Sequence, residues 1–133
     1  MTIKEKITPD ELKSLSQGKL IDAAILLRKG RFDTAYYLCG YAIELALKRR
    51  ICLTLDWDGF PKKDFSDLGS FKTHKLAPLL TMSGFEKKIK KDYLSMWSVV
   101  VDWDPEVRYT SQGVDQQVAE VMLALTKSLL EVL

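Results

Sequence analysis

Four side chains in this sequence have the types and surroundings that chemistry needs: Glu44, Lys48, His74 and Arg108. Glu44 falls within the apolar run Ala42-Ile43-Glu44-Leu45-Ala46-Leu47, where desolvation penalises its charge unless it is paired. Its structural reading is an ion pair with Lys48, four residues on, contributing about 0.3–0.5 kcal/mol if exposed. Its functional reading has Glu44 reach Arg108 from an adjacent element and orient it. Arg108 precedes a helix start, where backbone N–H groups favour an anion, and its planar donor fork suits a phosphate. The structural alternative is an arginine paired with Glu106 or Glu44. Tyr109 reads as a core or interface aromatic. His74, the single histidine, reads as helping to start a short helix at a solvated position. To act as a catalytic base it would need an orienting partner and a nucleophile, and no sequence feature nominates either.

Two basic clusters are the remaining candidates. Lys48-Arg49-Arg50 lies towards a helix C-terminus, where cations are favoured in any case. Lys87, Lys88, Lys90 and Lys91 crowd the first turns of another helix with like charges at three- and four-residue spacings. They read as a solvated face, or as the place where an acidic partner or an RNA backbone would dock. No metal site is expected, because one histidine and two helix-borne cysteines do not make a ligand spacing. No glycine-rich phosphate loop, nucleophile elbow or dinucleotide fingerprint occurs, so no cofactor is expected.

The elements that must position these residues are helical. The 133 residues make one domain, and 47% hydrophobic with 29% charged residues is ordinary for a soluble globular chain. The net charge of +2 does not suggest a dedicated nucleic-acid binder. No apolar run of about 18 residues exists, so no membrane span is expected. The charged start MTIKEKITPDELK lacks the apolar core of an export signal, and a cytoplasmic location follows as an expectation. Cys39 and Cys52 share one helix and stand about 20 Å apart, too far for a disulfide, so they read as small apolar side chains.

Thr8-Pro9-Asp10-Glu11 forms a capping box with proline at the first helical position. Leu12, Leu15, Leu20, Ala24 and Leu27 then give a helix ending at Gly30, with Gly18 a possible break. A second helix from Asp33 to Thr54 is apolar on nearly every face and belongs at the centre of a bundle. The segment 55–72 reads as a long loop carrying Trp57, Phe60, Phe65 and Phe71, which either folds back on the bundle or forms a contact surface. A short helix over Lys75–Met82, a helix with the stripe Phe85, Ile89, Tyr93, Met96, Trp97 and Val100, and a last helix carrying Val114 to Leu129 complete the chain. The expected fold is all-α: an up-and-down antiparallel bundle of four main helices plus one short helix.

The segment Gly30–Ile51, GRFDTAYYLCGYAIELALKRRI, resembles the signature second helix of HEPN domains, with Ala35-Tyr36-Tyr37 leading to Glu44, Leu45 and Lys48. Thr73-His74-Lys75-Leu76 and Glu106-Val107-Arg108-Tyr109 follow in the family's order, so the resemblance covers nearly the whole chain. It implies a helical bundle, often homodimeric, sometimes working beside a nucleotidyltransferase or within toxin–antitoxin and defence systems. Many members are metal-independent RNA endonucleases with an arginine followed, four to six residues on, by a histidine. Arg108 stands where that arginine is expected, but Gly113, Val114 and Asp115 occupy the histidine positions.

The expectation is therefore a non-catalytic HEPN-like binding module, with nucleotide or RNA as possible ligands and Arg108, Tyr109, Glu44, Lys48 and His74 as ligand-contacting residues. The alternatives are an RNA endonuclease with a departed active site, and a purely structural helical subunit.

Overall fold

A computed structural model describes residues 6–61, 73–105 and 113–133. The described chain is all-α, with helices α1 (Pro9–Arg28), α2 (Phe32–Leu55), α3 (Leu76–Ser83), α4 (Glu86–Asp92), α5 (Leu94–Val100) and α6 (Gln116–Val132). The only pairing of extended backbone among the described residues is a two-stranded antiparallel ribbon. It consists of β1 (Lys6–Ile7) and β2 (Phe60–Pro61), with Ile7 opposite Phe60.

The capping box forms as the residue types require. Glu11 N–H donates to Thr8 Oγ1 at 3.2 Å, and Thr8 N–H donates to Glu11 Oε1 at 3.1 Å. Gly18 does not interrupt α1, although glycine lowers helix stability by up to about 1 kcal/mol relative to alanine. A Cβ at Gly18 would meet nothing within 4 Å. Gly30, in the left-handed region at φ 76°, turns the chain into α2. Ser16 Oγ donates to the Ala42 carbonyl at 2.7 Å, and each residue lies about a dozen positions from that turn. The two long helices therefore run as an antiparallel hairpin.

α2 occupies the centre. Ala35, Cys39, Ala42, Ile43, Leu45, Ala46, Leu47, Ile51 and Cys52 are all buried, and α1, α3 and α6 pack around them. Burial pushes the thiols of Cys39 and Cys52 up to about 11, so both stay protonated and unreactive at neutral pH.

The expected fourth helix is divided. Tyr93 adopts φ −133° and ends α4 while beginning α5. Tyr93 N–H to Ile89 O at 2.8 Å and Trp97 N–H to Tyr93 O at 2.9 Å carry the ladder across the kink. The stripe keeps its phase, and Ile89, Trp97 and Val100 are all buried.

The start of the expected loop folds back. Asp56 takes the left-handed conformation, Trp57 N–H closes on Cys52 O at 2.8 Å, and Phe60 is buried with its ring 6.2 Å from that of Trp57. Phe65 and Phe71 lie outside the described residues. Among the described residues no helix is long and apolar enough to cross a membrane.

Arg49 and Arg50 serve α6 rather than the end of their own helix. Arg50 Nε and Nη2 donate to the Leu133 carbonyl at 3.1 and 2.6 Å, and Arg49 Nη1 donates to it at 3.2 Å. The Arg50 guanidinium also lies 4.3 Å from the centre of the Phe85 ring. Two cations at the negative end of a helix dipole fasten α6 to the core.

Candidate functional site

The structure brings three of the sequence's candidates together. Glu44 leaves α2 with its side chain only 4% exposed, and Lys48, one turn on, donates to its Oε2 at 3.0 Å. His74, at the approach to α3, places Nδ1 3.1 Å from Oε1 and 3.2 Å from Oε2. An ionised carboxylate only accepts, so Nδ1 is the donor and Nε2 is left for another partner on a ring that is 65% exposed. Glu44 thus has both of its expected fates in part. It pairs with Lys48 as helical spacing requires and orients His74 from another element, while its expected reach to Arg108 concerns a residue outside the described ones.

These groups line a cleft of about 340 Å³ walled by Ile7, Leu12, Tyr41, Leu45, Phe60 and Pro61. The β1–β2 ribbon supplies Ile7, Phe60 and Pro61, α1 supplies Leu12, and α2 supplies the rest. Lys48 Nζ sits 5.2 Å from the centre of the Phe60 ring, and Lys19 Nζ sits 5.8 Å from that of Tyr41. The cation–π contact with Phe60 holds the Lys48 ammonium in the cleft. Burial raises the Tyr41 phenol above its ordinary value, and the nearby Glu44 carboxylate and Tyr37 add to the effect.

Sequence reasoning missed Tyr41 at this site. Tyr41 precedes Glu44 by three residues and was within reach of helical spacing. Phe60 was expected only as a loop ring that folds back or makes a contact surface, and the ribbon places it at the cleft.

The other candidates are not gathered here. Arg108 and Tyr109 lie outside the described residues. Lys87, Lys88, Lys90 and Lys91 sit exposed on α4, where Lys90 approaches Glu86 at 3.8 Å and Lys88 lies 5.4 Å from the Phe85 ring centre. Near Gly113, expected to open the last helix with free N–H groups, the N–H of Val114 donates to Asp33, and Asp115 caps α6 by accepting from Val118 at 2.8 Å. Two carboxylates give that helix start the wrong sign for an anion. Among the described residues no group of three or more His, Cys, Asp or Glu could hold a metal ion.

Comparison with known proteins finds no matching protein-family model, no matching curated protein and no matching solved structure.

Proposed function

We propose that this chain is a HEPN-like binding module that does not cleave RNA, with its ligand site in the cleft over Glu44, Lys48 and His74. The supporting observation is the buried Glu44 carboxylate, held by two cationic or donor side chains at the edge of an aromatic-walled opening. A buried ion pair is often no more stable than an apolar replacement, so packing alone gives little reason for this one. Apolar walls with a few convergent polar groups are the usual make-up of a small-molecule site. Lys48 and His74 suit an anionic group, and the Tyr41 and Phe60 rings suit a flat body, which together describe a nucleotide. The same reading carries a homodimer in the cytoplasm and a nucleotidyltransferase-type partner, as in toxin–antitoxin or defence pairs.

The test is calorimetry with a nucleotide panel on wild type and His74→Ala protein. Binding by the wild type that falls about tenfold in the variant supports the site. Equal binding by both, or none at millimolar ligand, rejects it.

A second reading, an RNA endonuclease, is favoured by one feature. Glu44 orients His74 as a carboxylate orients a general base. Purified protein without metal should leave structured and unstructured RNA intact. Cleavage lost in His74→Ala or Arg108→Ala protein would replace the binding reading with this one.

A further inference from the structure

α1 has a second face that is turned away from the buried core. Glu11, Ser14, Gly18, Ile21, Ile25 and Arg28 recur at spacings of three and four and so form one line along the helix. This line lies opposite the face on which Leu12, Ser16 and Ala23 are buried. Ile21 is 61% exposed, Ile25 43%, and Leu15 beside them 42%. Ser14 and Arg28 are exposed as well, and the space above Gly18 is open.

The order of residue types along this line is complementary to its own reverse. Read in the opposite direction, Arg28 meets Glu11, Ile25 meets Ser14, and Ile21 meets Gly18. Each large apolar side chain faces a small residue, and each charged end faces the opposite charge. Asp10 and Lys29 add to the two ends with the matching signs.

We infer that this face of α1 binds the same face of a second copy, antiparallel, about a two-fold axis passing between Gly18 and Ile21. A two-fold contact needs a self-complementary patch, and this line is one. The glycine then has a use that the single chain does not give it, since its missing Cβ lets the partner's Ile21 approach the helix backbone. The Glu11 side chain keeps its bond to Thr8 N–H while its charge faces the partner's basic end.

A 20-residue helix is about 30 Å long, and one such pair covers less than the roughly 800 Å² per partner of a standard interface. The dimer is therefore reversible and concentration-dependent. The inference deepens the expected homodimer by naming its face, and it stands apart from the ligand cleft.

Sedimentation velocity over a concentration series tests it. Wild-type protein should move from 15.2 kDa towards twice that mass as concentration rises. Ile21→Lys should raise the dissociation constant by at least about tenfold. Gly18→Leu should do the same while its thermal unfolding stays cooperative and no earlier, because leucine is the better helix former and points into open space. Arg28→Glu should weaken the dimer too, by setting acid against acid. A species of 15.2 kDa at every concentration overturns the inference. A dimer left unchanged by Ile21→Lys and Gly18→Leu keeps the homodimer and rejects this face.

Discussion

Two positions on α2, one helical turn apart, are covered in opposite ways. At Gly40 the Trp103 indole lies flat against the helix, so a Cβ there would sit 2.0 Å from a ring atom. The ring is 3% exposed and rests 6.0 Å from Tyr37. At Glu44 the helix carries a buried carboxylate, and the aromatic cover of Tyr41 and Phe60 leaves a cleft of about 340 Å³. The first position is closed by shape and the second is held open by charge. One secures the fold, while the other has room for something besides the fold.

Substitutions can break this contrast. Trp103→Ala should have the largest effect, a loss of about 4 kcal/mol from a cavity along α2, read as a lower urea midpoint with an unchanged slope. Lys48→Met should cost about 3 kcal/mol, because Glu44 stays buried with one partner fewer. A loss near zero would show that water reaches Glu44 freely and that the site is less enclosed than its exposure implies.

Gly40→Ala should cost about 2 kcal/mol by forcing the indole away. Placed in Trp103→Ala protein, the same substitution should become neutral or stabilising, since alanine is the better helix former once the ring is gone. Additive losses would refute the close contact.

Alkaline titration probes the buried interior of α2 through Cys39. The folded Cys39 thiol, pushed up to about 11 from 9.0, keeps its proton while the unfolded chain loses it. Stability should be level below pH 9 and fall between pH 9 and 11, by about 1 kcal/mol at pH 10 from this thiol. Urea unfolding of wild type and Cys39→Ala protein at pH 8 and pH 10 measures the difference. The smallest change is expected at the open side, where His74→Ala should shift stability by less than about 1 kcal/mol.

Local signals made most of the helices legible. The Thr8-Pro9-Asp10-Glu11 start, the all-round apolar α2 and the stripe from Ile89 to Val100 each follow from spacing within a few turns. The kink at Tyr93 was not legible, because the stripe keeps its phase through it and only the backbone departs. The short ribbon was missed for a different reason. Two residues near the start pair with two beyond α2, and neither pair has a strand pattern of its own.

The sequence by itself determined that Glu44 and Lys48 would share a helix face, since four residues is close to one turn. It determined likewise that Cys39 and Cys52 could not bridge, and both remain free and buried. Only the tertiary structure decided that His74, 30 residues along the chain, would be the second partner of Glu44. The same holds for Phe60 at the wall of the cleft and for Arg50 at the Leu133 carbonyl. Periodicity fixes which side of a helix a residue occupies, because that depends on a few dihedral angles close by. Which element then faces that side depends on how all the apolar faces are buried at once, and no short stretch of sequence contains that information.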